Sequence, residues 1–227
     1  VTKDQFKEIQ IEDLLPRKEI SINMQKIASN LEGKRVMITG AAGSIGSEIV
    51  RQVAGFNPYS LILIDQAETP LHSLRLEINR KWKEVKAHTI VADIANKSRL
   101  EKIFKDASPD YIFHAAAYKH VPMMEENVSE AIQTNIQGTK VLADLAVKYG
   151  ASKFVMISTD KAVNPTNVMG CSKRIAEIYV QSLAKHIDET SSGKTQFITT
   201  RFGNVLGSNG SVIPFFREQI KNGGPVT

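Results

Sequence analysis

The chain has 227 residues, of which 42% are hydrophobic and 23% are charged, and these proportions exclude a disordered or collagen-like protein. Lysine and arginine number 29 against 24 acidic residues, a net charge of +5. So small an excess suits an anionic small molecule as well as a nucleic acid. The single cysteine, Cys171, permits no internal disulfide and favours a reducing compartment. No apolar run reaches the roughly 20 residues that cross a bilayer.

Apolar runs and amphipathic segments alternate along the chain from residue 34 onwards. The apolar runs predict strands at 34–39, 60–65, 87–91, 110–114, 153–158 and 195–200. The amphipathic segments between them predict helices at 44–54, 71–83, 97–105, 129–149 and 168–186. Because each helical crossover must lie on the sheet, we expect an α/β fold with a doubly wound parallel sheet of about six strands.

Three glycines, Gly40, Gly43 and Gly46, lie between the first predicted strand and the first predicted helix. At this place in an open sheet they allow a tight turn, close approach of a pyrophosphate and close packing of helix on strand. Asp65 closes the second strand, where a carboxylate can hydrogen-bond the adenosine ribose of a dinucleotide. No cation follows Asp65 to hold a 2′-phosphate, so the sequence favours NAD and leaves NADP possible. Asp93, after the third strand, could cap a loop or reach the adenine.

The spacing of the three glycines resembles that of the short-chain dehydrogenases, and His114-Ala-Ala-Ala117 resembles the extended branch of that family. The resemblance implies a Rossmann domain over residues 34–200, preceded by an arm or linker at 1–33. Residues 201–227 would begin a substrate-binding lobe that is truncated in this chain. The chain starts with Val1 rather than methionine, so we expect a fragment of a longer protein. We expect His114 to pack beside the cofactor, because no second ligand at metal spacing accompanies it.

Short-chain dehydrogenases carry Tyr-x-x-x-Lys on the helix after the fifth strand, and the lysine lowers the pKa of the phenol so that it can take a proton. This chain has Met169 at the position of the tyrosine and retains the lysine as Lys173. Its proton carriers must therefore lie elsewhere. The nearest candidates are Thr159, Asp160 and Lys161, which follow the fifth strand at the ligand-binding edge of the sheet.

This combination resembles the long, membrane-tethered branch of the nucleotide-sugar 4,6-dehydratases of polysaccharide biosynthesis. The resemblance covers nearly the whole chain and is carried by residues 11–15 with Arg17, 39–46, 115–122, 158–165, 169–173 and 201–207. Pro16 stands where relatives commonly have glycine. Members of this family oxidise the C4 hydroxyl of a UDP-N-acetylhexosamine, such as UDP-GlcNAc, eliminate water across C5 and C6, and return the hydride to C6. The resemblance therefore implies a lyase with a bound nicotinamide dinucleotide.

The same resemblance implies a role for each catalytic candidate. Thr159 would assist proton removal at C4, Asp160 would protonate the departing C6 hydroxyl, and Lys161 would act at C5. Lys173 would hold the nicotinamide ribose, and Met169, which cannot titrate, would pack against cofactor or substrate. An acid of this kind needs a raised pKa and a lysine base needs a lowered one, so we expect an enclosed site.

Two larger sets of residues complete the predicted site. The cofactor-binding residues are expected to be Gly40, Ala42, Gly43, Ser44, Ile45, Gly46, Asp65, Asp93, Ile94, Ala115, Ala116, Ala117 and Lys173. Donors in the loops after the fourth and sixth strands suit sugar and diphosphate oxygens. The substrate-binding residues are expected to be Lys119, His120, Asn204 and Ser208.

Two other functions remain open from the sequence. One is a nucleotide-sugar epimerase or reductase on the same fold, which Met169 disfavours because those enzymes generally use the tyrosine. The other is a non-catalytic dinucleotide-binding scaffold, which would not need Thr159, Asp160 and Lys161 together. As partners we expect a UDP-sugar, no nucleic acid, and a second copy of the chain in a homo-oligomer. The resemblance also implies a location on the cytoplasmic face of the bacterial inner membrane, with attachment only through segments outside this chain.

Overall fold

The computed structural model describes residues 23–203, 205 and 212–225. One compact unit comprises Ile27–Gly203 and contains a six-stranded parallel sheet. The strands are β1 (Arg35–Thr39), β2 (Ser60–Asp65), β3 (Ala87–Val91), β4 (Tyr111–His114), β5 (Lys153–Thr159) and β6 (Gln196–Phe202). All six predicted strands are present, with ends that agree within two residues.

Helices connect the strands in the order that the sequence predicted. The helices are α1 (Met24–Leu31), α2 (Ser44–Ala54), α3 (Glu68–Lys81), α4 (Lys97–Ala107), α5 (Val121–Glu126), α6 (Val128–Ala131), a π-helix (Ile132–Gly138), α7 (Thr139–Lys148), a 3₁₀ turn (Asp160–Ala162), α8 (Val168–Thr190) and α9 (Val212–Lys221). Helix α9 belongs to a second unit. In the described part of the chain, no helix is both long and apolar enough to cross a membrane.

The strand order is β3-β2-β1-β4-β5-β6, and every neighbouring pair is parallel. The chain thus moves outward from β1 to β3, returns to the middle at β4 and continues to the other edge. This is the doubly wound order, in which ligands bind where the winding reverses, between the carboxyl ends of β1 and β4. The predicted fold class is confirmed. The predicted domain limits at residues 33 and 200 stay predictions.

The hydrophobic core forms two layers, one on each face of the sheet. Because successive side chains of a strand point to opposite faces, Val36 and Ile38 of β1 join one layer and Met37 joins the other. The first layer packs against α2 and α3, and the second against α4, α7 and α8. Burial on both faces explains why the strands read as almost continuous apolar runs.

Three local features differ from the predicted elements. The helix predicted at 129–149 is interrupted by the π-helix, where a Cβ on Gly138 would lie 2.7 Å from Ile94 Cδ1. Helix α5 follows the fourth strand and has Pro122 in its first turn, a helix-start signal that the sequence reading left unused. Helix α1 lies entirely inside the segment predicted as an arm, and Leu31 anchors it in the core.

Candidate functional site

A cleft of about 240 Å³ opens at the carboxyl ends of β1, β2 and β4, where the winding of the sheet reverses. Its lining comes from the end of β2 and from the loops that follow four strands, with one residue each from α3 and the π-helix. The lining residues are Gly40, Ala42, Gly43, Ile64, Asp65, Gln66, Ala67, Pro70, Ala92, Asp93, Ile94, Ala115, Ala116, Ala117, Tyr118 and Thr134. The floor is therefore the glycine turn, and small side chains leave room above it.

The glycine turn has a backbone that only glycine fits at two positions. Gly40 has φ +66°, and a Cβ there would lie 2.6 Å from the backbone nitrogen of Ala116. A Cβ on Gly46 would lie 1.9 Å from the carbonyl oxygen of Gly40, so α2 could not approach the turn. No side chain caps α2, whose N-cap is Gly43. A helix amino end next to glycines fits a diphosphate, because backbone N–H groups and the helix dipole both favour an anion there.

The Asp65 carboxylate is held in the cleft by two backbone donors. Its Oδ2 accepts a hydrogen bond from Ala42 N–H of the glycine turn, and its Oδ1 accepts one from Ala67 N–H, both at 2.9 Å. An ionised carboxylate has about four acceptor positions, so it retains capacity for the two hydroxyls of a ribose. The geometry fits the role that the sequence predicted.

Nine of the thirteen predicted cofactor-binding residues line this cleft. The other four are Ser44, Ile45 and Gly46, which form the first turn of α2, and Lys173, which lies on α8. Sequence reasoning missed seven of the lining residues, among them Gln66, Tyr118 and Thr134. Gln66 and Tyr118 directly follow predicted cofactor-binding residues, so their positions in the chain could have identified them. Thr134 had no such signal, because the π-helix brings it to the cleft. The binding roles of all these residues stay predictions.

Thr159, Asp160 and Lys161 form one hydrogen-bonded group at the end of β5. The Thr159 hydroxyl donates to Asp160 Oδ1 at 2.9 Å, and Lys161 Nζ donates to the same oxygen at 3.4 Å. The Asp160 side chain is 57% exposed. The hydrogen bond from Thr159 and the charge of Lys161 together lower the pKa of Asp160, whereas the sequence had led us to expect a raised one. In this structure the carboxylate is therefore ionised and exposed.

Lys173 and Met169 lie on one face of α8 and are both buried. Lys173 Nζ donates to the carbonyl oxygen of Ile157 in β5 at 2.8 Å, and burial lowers its pKa to about 8. Met169 packs in a small cluster with Met124 and Ala131. The packing of Met169 against cofactor or substrate, and its role in catalysis, stay predictions.

Asn135 and His114 connect the cleft to the interior. Asn135 Oδ1 accepts from Tyr118 N–H, and Asn135 Nδ2 donates to the carbonyl oxygen of Tyr118 and to Ser172. The fully buried His114 bonds Thr39 through Nδ1 and Thr139 through Nε2, each at 2.8 Å. Burial lowers the pKa of His114 to about 3, so this ring is neutral and structural, as the sequence predicted.

A buried carboxylate that the sequence reading did not select lies one turn beyond Lys173. Glu177 is fully buried, and both its oxygens accept from Arg201 at the end of β6, at 2.9 Å and 2.6 Å. Arg174 adds a third bond at 3.2 Å. Burial alone would raise the pKa of Glu177, but the bonds from Arg201 and Arg174 outweigh it and lower the pKa. The pair fixes α8 to the strand from which the predicted substrate loop departs.

The predicted substrate-binding residues are only partly described. Lys119 and His120 are exposed and follow Tyr118 on the loop after β4, at the ligand-binding edge of the sheet but outside the lining of the cleft. Asn204 and Ser208 lie outside the described residues. Their roles stay predictions.

Similarity to known proteins was found along most of the chain. A polysaccharide biosynthesis protein from Bacillus subtilis strain 168, named as probable EpsC, is 46% identical over 100% of this chain and 37% of its own length. A UDP-N-acetylglucosamine 4,6-dehydratase (inverting) from Campylobacter jejuni is 35% identical over 84% of this chain and 55% of its own length. A UDP-glucose 4-epimerase from Rickettsia rickettsii is also 35% identical, over 86% and 55%. The chain thus spans about a third to a little over half of the length of these relatives.

The crystal structure of Pen from Bacillus thuringiensis has the same architecture, with a TM-score of 0.78 and 36% identity over 84% of this chain and 58% of that one. The family described as "polysaccharide biosynthesis protein" matches residues 36–227. That match begins in β1 and includes the glycine turn, the Thr-Asp-Lys group and Lys173. The resemblance drawn from the motifs is therefore confirmed, and the chain belongs to the polysaccharide biosynthesis protein family, on the fold of the extended short-chain dehydrogenases.

Proposed function

We propose that the protein is a nucleotide-sugar 4,6-dehydratase that acts on a UDP-N-acetylhexosamine, with UDP-GlcNAc as the first candidate, in polysaccharide biosynthesis. The observation that carries the proposal is the hydrogen-bonded group of Thr159, Asp160 and Lys161 at the end of β5. It stands next to a helix on which Met169 replaces the usual phenol. A dehydratase needs several proton transfers, and this group offers a hydroxyl, a carboxylate and an amine.

The cleft supports a nicotinamide dinucleotide as cofactor. The glycine turn and the amino end of α2 would hold the diphosphate, and Asp65 would accept from the adenosine ribose. Lys173 would reach the nicotinamide ribose. When bound, the nicotinamide would accept a hydride from the sugar and return it, so that no net oxidation occurs. Asp65 favours NAD over NADP because a carboxylate repels a 2′-phosphate.

The group of three residues suggests an order for the proton transfers. The Thr159 hydroxyl already donates to ionised Asp160, so Thr159 can take the C4 hydroxyl proton while passing its own to the carboxylate. Asp160 then carries the proton that the departing C6 hydroxyl needs to leave as water. In this order Asp160 must be ionised at the start, because the carboxylate receives the proton that it later donates during the reaction itself.

Lys161 would act at C5 in the same sequence. Its Nζ lies 3.4 Å from Asp160 Oδ1, so the amine and the carboxylate are next to each other at the end of β5. The amine can then take the C5 proton as water leaves and give a proton back when the hydride returns to C6. We expect substrate binding to exclude water from this exposed group, which strengthens each transfer.

An epimerase remains the second candidate, because one relative at 35% identity is named a UDP-glucose 4-epimerase. Met169 disfavours it, since its thioether cannot exchange a proton and is 3% exposed. Location at the cytoplasmic face of the bacterial inner membrane and assembly as a homo-oligomer stay predictions that accompany the proposal.

Mass spectrometry of the sugar nucleotide distinguishes these functions. The protein is incubated with UDP-GlcNAc and NAD, and we expect a product that has lost one water. A product of unchanged mass that separates from UDP-GlcNAc by chromatography would indicate an epimerase instead. Unaltered UDP-GlcNAc, together with tight NAD binding, would favour the scaffold and would contradict the proposed chemistry. The matched control is Asp160→Asn, which keeps the shape of the side chain but cannot carry the proton.

A further inference from the structure

One hydrogen bond joins the two walls of the cleft. The side-chain amide of Gln66 donates to the hydroxyl of Tyr118 at 3.2 Å, across 52 positions of sequence. Gln66 directly follows β2, Tyr118 lies in the loop after β4, and both line the cleft. Because β1 lies between β2 and β4 in the sheet, this bond must pass over the carboxyl end of β1. The Gln66–Tyr118 bridge therefore crosses the place where the glycine turn lies.

The two ends of the bridge are held very differently. Tyr118 is fixed, because Asn135 bonds both its N–H and its carbonyl oxygen, at 2.9 Å and 3.1 Å. Its ring also packs against the cluster that contains Met169. Gln66 is exposed and has a flexible side chain. The bridge can thus open by rotation of Gln66 alone, without movement of the loop that carries Tyr118.

We propose that the Gln66–Tyr118 bridge is a gate that a dinucleotide must open to enter or leave the cleft. The inference rests on the proposed function for the identity of the ligand. A dehydratase regenerates its cofactor in every turnover, so a closed gate keeps the cofactor in place without weakening any step of the reaction. In this proposal the bridge closes over the empty and the occupied cleft to the same extent, so it slows entry and exit by the same factor and leaves the equilibrium affinity unchanged.

The size of the effect follows from the strength of the bond. A neutral, partly exposed hydrogen bond of this kind favours the closed state over the open one by about 2- to 10-fold. A ligand can pass only while the gate is open, so both rate constants are multiplied by the open fraction, which is about one third to one tenth. Removing the bond should therefore raise both the association and the dissociation rate constants by about 3- to 10-fold.

Stopped-flow fluorescence with NADH as the probe tests the gate. The variants are Gln66→Ala, Tyr118→Phe, which keeps the packed ring, and the double variant. Both rate constants should rise in each single variant. The dissociation constant for NADH should stay within about twofold of the value for the unchanged protein. The double variant should match the single variants, because all three lack the same bond. Gln52→Ala is the matched control, since Gln52 donates to Glu48 on the outer surface of α2, and it should leave both rates unchanged. Thermal unfolding checks that every variant is folded.

The outcomes separate the gate from the proposed function. Unchanged rates in the variants, or single effects that multiply in the double variant, would overturn the gate while the dehydratase stands. A rise in the dissociation rate alone, with weaker binding, would show that Gln66 and Tyr118 are ordinary ligand contacts and would also overturn it. If the unchanged chain binds no NADH, both proposals fall. If the gate signature appears but UDP-GlcNAc loses no water, only the dehydratase falls.

Discussion

Replacing Gly46 with alanine tests the close approach of α2 to the glycine turn. The added Cβ would lie 1.9 Å from the carbonyl oxygen of Gly40 and 2.7 Å from its carbonyl carbon. Carbon atoms in good contact stand roughly 3.5–4.0 Å apart, so the helix must retreat by more than about 1 Å. Both contacted atoms are backbone, so no side chain can rotate away. We expect a loss of about 3 kcal/mol in the free energy of unfolding, the upper end for overpacking, and a Tm lower by about 6–12 °C.

Two other glycines serve as matched controls because they separate lack of space from backbone conformation. Gly55 has φ −72° and meets only the carbonyl oxygen of Gln52 at 3.4 Å, so Gly55→Ala should be neutral or stabilise by up to about 1 kcal/mol. Gly33 has φ +68° with nothing within 4 Å of its Cβ, so Gly33→Ala should cost about 1–2 kcal/mol through conformation alone.

Urea unfolding followed by circular dichroism gives all three free energies, and NADH titration gives the binding of each variant. The expected order of destabilisation is Gly46→Ala, then Gly33→Ala, then Gly55→Ala. Only Gly46→Ala should also weaken NADH binding, because only this change displaces the amino end of α2. If Gly46→Ala unfolds like Gly55→Ala and still binds NADH, the close approach of helix and turn is refuted.

Three further predictions concern chemistry, cofactor choice and pH. Asp160→Asn should lower dehydratase turnover by about 10²–10⁴-fold, whereas Met169→Ala should keep a measurable fraction; the reverse result at saturating UDP-sugar would place the chemistry elsewhere. The unchanged chain should bind NAD more tightly than NADP in calorimetric titration, and Asp65→Asn should narrow that difference; equal affinities before the change would contradict the role of the carboxylate. The pKa of His114 is lowered from 6.5 to about 3, so the unfolded chain gains a proton in this window that the folded chain does not. Stability should therefore fall with pH from 6.5 towards 3 more steeply in the unchanged protein than in His114→Gln, by up to about 1.4 kcal/mol per pH unit, and parallel curves would show that the ring is accessible to protons.

The strands, most of the helices and the position of the glycine turn could be predicted from the amino-acid sequence alone. These features leave a local pattern in the sequence: a strand that is buried on both faces is apolar along its length, and a turn with positive φ favours glycine. The same local logic selected Asp65 at the end of β2 and the Thr159–Lys161 segment at the end of β5. The sequence did not predict the π-helix that interrupts the helix at 132–138, because this segment contacts distant residues such as Ile94.

The hydrogen bonds, ion pairs and pKa values of the selected side chains depend on the tertiary structure. Only the strand order places β1 between β2 and β4, and so brings Gln66 and Tyr118 together across the cleft. Only the packing of α8 on β6 buries Glu177 against Arg201. The sequence predicted a raised pKa for Asp160, and the structure lowers it. The reason is physical: a pKa depends on burial and on every charge and donor within a few ångströms, and those distances are set by the whole fold.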